Sequence, residues 1–228
     1  MVCIKKYRFI IVVVLLIALI TSFYSCLVVK SVSRFNGFTI VIDAGHGGRD
    51  GGSVGQNGTI EKEINLTYAM ALKDKLVEKG FKVELTRKND DGLYNEFAKN
   101  KKQSDMLQRF KIIEKTNPNL VISIHMNSFS DKSVKGALTY FRKGDEASQY
   151  CADLIQKSFF NDGCATKIKS KVGDYYILNC SYYTAVLIEC GFISNFEEEK
   201  LLNTEEYRNR IIDAIYKGVL IYFGVVNI

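Results

Sequence analysis

The sequence predicts an α/β fold: a single layered domain with a largely parallel or mixed central sheet flanked by helices. An N-terminal transmembrane or signal-anchor helix precedes it. Three observations predict this. Short, near-continuous runs of Val, Ile, Leu, Tyr and Phe alternate with longer segments of helical spacing through residues 36–228, the order that builds sheets covered on both faces. The 21 residues Phe9–Val29 carry no charge. The net charge of +6 is distributed unevenly: Lys5, Lys6, Arg8, Lys30 and Arg34 supply five of it, leaving +1 for the rest. A near-neutral domain has no electrostatic footprint for nucleic acid, so no nucleic-acid partner is expected.

As a helix, Phe9–Val29 would extend about 32 Å, enough to cross the hydrocarbon core of a bilayer. It exceeds the apolar stretch of a cleaved signal peptide, although Ser31-Val32-Ser33 would be compatible with processing. Three basic residues before the segment and two after it favour a cytoplasmic N-terminus and an exported domain. The expected organisation is a signal or membrane anchor with juxtamembrane segment over 1–35 and one domain over 36–228. That domain would be membrane-anchored or secreted on the cell-wall side of the membrane. Its cysteines, Cys151, Cys164, Cys180 and Cys190, show no paired metal-ligand spacing and are expected to be buried free thiols.

Within 36–228 the expected strands are Phe38–Asp43, Lys82–Thr86, Leu120–His125, Ala137–Phe141 and Ala185–Glu189, with a weaker one at Tyr175–Asn179. The expected helices are Glu61–Lys79, Met106–Lys115, Glu146–Phe160 and Glu205–Tyr222. The first of these stops at Gly80, a residue suited to a helix C-cap. The polar stretch Lys88–Asp105 reads as a loop over a site or a small helical insertion.

The chain has two histidines. His46 follows the first strand in Asp43-Ala44-Gly45-His46-Gly47-Gly48, and His125 ends the strand Val121-Ile122-Ser123-Ile124-His125. Ligands of parallel sheets bind beyond the carboxyl ends of strands, so both imidazoles lie at one edge. Glu189, closing the apolar run Ala185-Val186-Leu187-Ile188-Glu189, lies there too. An acid in that place is costly unless paired or functional. Glu61 or Glu63, at the start of the helix after the glycine-rich loop, supplies a second carboxylate; spacing alone does not choose between them. Two imidazoles and a carboxylate are a common catalytic zinc set with a fourth position for water, and a further carboxylate then serves as general base and acid. Two other motifs fail on context. Gly51-Gly52-Ser53-Val54-Gly55 lacks the adjacent strand and helix of a nucleophile elbow. Asp50 stands where a dinucleotide fingerprint needs its third glycine.

With these residues in place, the sequence resembles the zinc-dependent N-acetylmuramoyl-L-alanine amidases of the amidase-3 type. The resemblance runs from about Phe38 to Leu202. It rests on Ile42-Asp43-Ala44-Gly45-His46, Gly58-Thr59-Ile60-Glu61-Lys62 with Asn65-Leu66, Ser123-Ile124-His125-Met126-Asn127, and Leu187-Ile188-Glu189-Cys190-Gly191-Phe192-Ile193-Ser194-Asn195. It implies that His46, Glu61 and His125 bind Zn2+ and that Glu189 is the catalytic carboxylate. The implied substrate is peptidoglycan, cut between the lactyl group of muramic acid and L-alanine of the stem peptide. The plan of one anchor and one catalytic domain resembles the sporulation amidases that initiate muramic-δ-lactam formation in spore cortex. Some amidases of this fold depend on an activating protein partner. The chain departs from the family where Arg109 is followed by Phe110 and Lys111 rather than an Ala-Asn pair. The competing readings are a non-catalytic wall-binding or scaffold module on the same fold, and a two-carboxylate glycosidase using Glu61 and Glu189.

Overall fold

The computed structural model describes residues 13–19, 37–179 and 182–226. The chain divides into two compact units, Met1–Gly37 and Phe38–Ile228. In the first, residues 13–19 are helical; the rest of the apolar stretch Phe9–Val29, Cys26 included, lies outside the described residues. Among the described residues no helix is long and apolar enough to cross a membrane.

The second unit is built on six strands: β1 (Thr39–Ala44), β2 (Lys82–Leu85), β3 (Leu120–Asn127), β4 (Leu138–Phe141), β5 (Lys171–Val172) and β6 (Ala185–Phe192). They lie in the order β2-β1-β3-β6-β4-β5. The pairs β1–β2, β1–β3, β3–β6 and β4–β5 are parallel, whereas β4 runs antiparallel to β6. The sheet is therefore mixed. Its helices are α1 (Glu61–Lys79), α2 (Lys101–Thr116), α3 (Glu146–Asn161), α4 (Tyr176–Asn179), α5 (Phe196–Leu202) and α6 (Glu205–Tyr222).

Strand residues alternate between faces, and both faces are covered. Ile40, Ile42, Ile122, Ile124, Val186 and Ile188 join the larger core with Leu72 of α1, Ile155 of α3 and Ile215 of α6. Val41, Val121, Ala185 and Leu187 join a smaller core with Ile113 of α2 and Ile177 and Leu178 of α4. On this second face the alternation turns polar toward the strand ends. Val41 is followed by Asp43, Val121 by Ser123 and His125, and Leu187 by Glu189. The same side of the sheet is thus core at one end and site at the other.

The structure differs from expectation in three places. Tyr175–Asn179 is not a strand: Tyr176–Asn179 forms a short helix that buries the adjacent residues Ile177 and Leu178, a pair a strand would place on opposite faces. Helix α2 begins at Lys101 because the Asn100 side chain accepts from the Gln103 N–H, so the polar stretch contributes a helical turn. The two-residue β5 and the helix α5, capped by Asn195, were not expected. Cys151, Cys164 and Cys190 are buried and free, as expected; Cys180 lies outside the described residues.

Helices α3 and α6 cross closely at Gly218, where an added Cβ would lie 2.7 Å from Ile155 Cα. Gly218→Ala should therefore lower stability by about 1–3 kcal/mol through overpacking, against a helix-propensity gain of about 1 kcal/mol. Thermal unfolding checks this; an unchanged or raised Tm would contradict the close crossing.

Candidate active site

The carboxyl end of β1 carries the first site residue, and the backbone there is unusual. His46 has φ 62°, a left-handed conformation that non-glycine residues adopt only when their surroundings enforce it. Two buried arginines do so. Arg109 of α2 donates from Nη1 to Asp43 Oδ1 (2.6 Å) and Ala44 O (2.7 Å), from Nη2 to His46 O, and from Nε to Asp105 Oδ2 (2.6 Å). Arg87, just after β2, donates from Nε to Ala44 O (2.9 Å) and from Nη2 to Gly45 O (3.0 Å) and Lys62 O (2.7 Å). Three successive carbonyls are thereby held by guanidinium forks, whose fixed geometry suits the task. Asp43 is fully satisfied, since Thr86 and Ser123 donate to it at 2.8 and 2.7 Å. Burial pushes its carboxyl up, but the Arg109 charge and the Ser123 hydrogen bond outweigh this and bring it down to about 2.

Around this anchor three side chains converge. His46 Nε2 lies 3.1 Å and His125 Nδ1 3.0 Å from Glu61 Oε1, and one ligand atom from each of the three lies within 4.8 Å of the others. His46 Nδ1 is 3.0 Å from Asp50 Oδ2, a carboxylate–imidazole contact of the kind that orients a metal-ligating histidine. Glu61 Oε2 accepts from the Ser53 N–H (2.8 Å), and Oε1 accepts from Asn65 Nδ2 (3.2 Å) and the Met126 N–H (3.3 Å). Burial raises the Glu61 carboxyl, yet hydrogen bonds and charge from His125 and His46 hold it well below the usual range. Burial lowers the His46 imidazole, and Glu61 and Asp50 reverse that and raise it. The glycines of the loop leave room for these side chains. A Cβ at Gly45 would sit 2.2 Å from His125 Cε1, and one at Gly52 2.5 Å from Glu61 Oε2.

Strand pairing brings in the fourth residue, because His125 and Glu189 are register partners across β3 and β6. Glu189 is 7% exposed, and its Oε2 is buried without a hydrogen-bond partner. Burial, reinforced by the charge of Glu61, pushes its carboxyl up to about 7 against the pull of the imidazoles. All four residues line a cavity of about 810 Å³ that is open to solvent and also bordered by Tyr94, Tyr175 and Tyr176.

The structure brings together His46, Glu61, His125 and Glu189. Glu63 is exposed and outside the group, which removes the ambiguity between the two helix-start carboxylates. Ser53 uses its backbone to hold Glu61 and is followed by an extended bridge from Val54 to Ile60, not a helix. Asp43, Asp50 and Arg87 were not proposed as site residues from sequence, and Arg109 was noted only as the helix arginine of the family pattern. Asp43 carried a usable signal, an acid ending an apolar strand, the same signal that marked Glu189.

The family model described as N-acetylmuramoyl-L-alanine amidase matches residues 40–220. The chain belongs to this amidase family. The match reaches past Leu202 through most of α6. A germination-specific N-acetylmuramoyl-L-alanine amidase of Bacillus subtilis is 33% identical over 195 residues, covering 82% of this chain and 81% of that relative. The CwlD amidase of Clostridioides difficile, solved in complex with the GerS lipoprotein, superposes with a TM-score of 0.79 at 36% identity, covering 83% of this chain and all of that one. The catalytic domain of the amidase CwlV from Bacillus (Paenibacillus) polymyxa var. colistinus gives 0.73 at 31% identity, over 83% and 99% of the two chains.

The Asp43 carboxyl is lower in the folded chain (about 2) than its ordinary value of 3.8. Its stabilising contribution is therefore complete above about pH 4 and is lost as pH falls toward 2. Chemical denaturation between pH 5 and 2 should show this decline as roughly 2–3 kcal/mol. Asp43→Asn should be less stable at neutral pH and show a shallower acid limb. Equal acid limbs in the two proteins would contradict the anchoring role.

Proposed function

We propose that the chain is a zinc-dependent N-acetylmuramoyl-L-alanine amidase that hydrolyses peptidoglycan between the muramic acid lactyl group and L-alanine. The observation that carries this reading is the convergence of His46, Glu61 and His125 within 4.8 Å beside the buried, unpartnered oxygen of Glu189. The donor chemistry fits zinc: two imidazoles and one carboxylate leave a position open. His46, Glu61 and His125 would hold the ion. When bound, zinc polarises the scissile carbonyl and acidifies a water molecule.

The chain's own residues divide the remaining work. Asp50 fixes His46 so that Nε2 faces Glu61. The N–H groups of Ser53 and Met126 and the Asn65 amide hold the Glu61 carboxylate in place. Glu189 takes a proton from the attacking water and delivers it to the departing L-alanine nitrogen. A carboxyl raised to about 7 by burial is suited to both accepting and donating near neutral pH. The glycosidase reading has less support, because Glu61 is engaged by both imidazoles and is not free to act as an acid. A purely binding module has no use for a desolvated Glu189.

The proposed setting is cell-wall or spore-cortex peptidoglycan, supported by the likeness to a germination-specific amidase. Residues 1–35 are proposed as the signal or anchor segment of an exported catalytic domain. The CwlD amidase is seen with a lipoprotein, and a protein partner for this chain is part of the proposal.

Incubation with purified peptidoglycan should release stem peptides bearing free L-alanine termini, and a chelator should abolish the release. Activity that survives chelation, or new reducing ends instead of free termini, would overturn the reading. Glu189→Gln should retain metal and lose about 10²–10⁴-fold in turnover, whereas His46→Ala should lower metal content by elemental analysis. A fully active Glu189→Gln protein would contradict the proton-transfer role.

A further inference from the structure

The charges lining the catalytic cavity do not cancel locally. Each acid but Glu189 is committed to a partner of its own. Asp43 and Asp105 face Arg109, Asp50 faces His46, Glu61 sits between the imidazoles, and Asp174 accepts from Asn179. Among the cations, Arg109 is consumed by these internal bonds. Lys101 is paired with Glu96 and lies over the Tyr94 ring. Arg49 and Lys102 remain; both line the cavity, and among the described residues neither makes an ion pair. They share a neighbourhood at Tyr94: the Arg49 N–H meets the Tyr94 hydroxyl at 3.4 Å, and Lys101, the chain neighbour of Lys102, lies over the same ring. Lys101 and Lys102 also open α2, whose first turn holds no acid. Cations are disfavoured there by the helix dipole, and an anion seated in the cavity would reverse that cost.

The substrate chemistry says which anion fits. In the amidase reading, on which this inference rests, the glycan and lactyl side of the scissile amide is uncharged. Free carboxylates occur only on the peptide side. The first belongs to the residue after L-alanine, about 7 Å along an extended chain from the scissile nitrogen, and the cavity has room for it. We propose that Arg49 and Lys102 form a carboxylate subsite that takes the first free stem-peptide carboxylate beyond L-alanine. The Arg49 fork suits a planar carboxylate, and Lys102 adds a point charge. The subsite distinguishes stem peptides carrying γ-linked D-glutamate with a free α-carboxylate from those carrying its amide.

The test uses the full chain loaded with zinc, with Glu189→Gln to prevent turnover, and calorimetric titration with two ligands. These are N-acetylmuramoyl-L-alanyl-γ-D-glutamyl-L-lysine, the acid, whose glutamyl α-carboxylate is free, and its isoglutaminyl counterpart, the amide; in both the γ-carboxyl is tied up in the peptide bond to lysine. The acid should bind about tenfold more tightly than the amide, the effect of one good charge-assisted contact, and added salt should narrow the gap. Adding Arg49→Ala and Lys102→Ala should bring the acid to the affinity of the amide, whereas Lys102→Arg should keep the preference and Lys101→Ala should not change it. Equal binding of acid and amide, a preference that survives the double substitution, or no binding of the acid would overturn the subsite. If the chain with Glu189 intact cleaves neither compound nor peptidoglycan while the acid preference holds, the amidase reading fails and the anion site stands.

Discussion

The ion pair between Arg109 and Asp43 is the constraint from which the rest of the site follows. Both partners are buried, so Asp43 depends on Arg109 to remain charged, and breaking the pair would cost about 3–5 kcal/mol. The pair also reaches beyond itself. While neutralising Asp43, the Arg109 guanidinium grips the carbonyls of Ala44 and His46, and Arg87 adds Ala44 and Gly45 from the other side. In the left-handed turn at His46 the carbonyls of Ala44, Gly45 and His46 all meet guanidinium donors, which offsets the backbone strain. The position of the first imidazole is thus set by helix α2 and the end of β2, two segments far away in sequence.

From that fixed point the site divides two chemically similar carboxylates by their surroundings. Glu61 is enclosed by imidazoles and N–H groups and is held as the anion, the state a metal ligand needs. Glu189 is buried with an oxygen that has no donor, and it is held near the point of protonation, the state a proton shuttle needs. Environments that push two acids apart in this way support the separate roles proposed for them. The β3–β6 register that sets His125 opposite Glu189 makes the arrangement a property of the sheet, not of mobile loops.

Much of this was legible in the sequence, for physical reasons. The central strands β1, β3 and β6 are covered on both faces and therefore read as apolar runs. His46, His125 and Glu189 stand out because polar groups at the ends of such runs need a reason. Glu61 needed the family resemblance, since a carboxylate at a helix start is ordinary. What was not legible depends on contacts between distant segments. Arg87 and Arg109 look like surface residues until the fold places their guanidiniums under the β1 turn. Tyr176–Asn179 has strand-like composition, but as a helix it buries both Ile177 and Leu178 in the core that holds Ile113 of α2. The start of α2 at Lys101 was hidden because its signal is one capping side chain in a polar stretch. The stretch reads as a loop over a site or a small helical insertion, and the capped turn is what puts Lys101 and Lys102 on the wall of the cavity.

The central claim is that His46, Glu61 and His125 form one preorganised metal site from which Glu189 stands apart. A crystal structure of the zinc-loaded chain, with anomalous data collected at the zinc absorption edge, tests it most directly. A single peak is expected, bonded to those three side chains, with the His46 backbone still left-handed and Glu189 outside the coordination sphere. A peak on another residue set, or Glu189 as a ligand in place of Glu61, would contradict it.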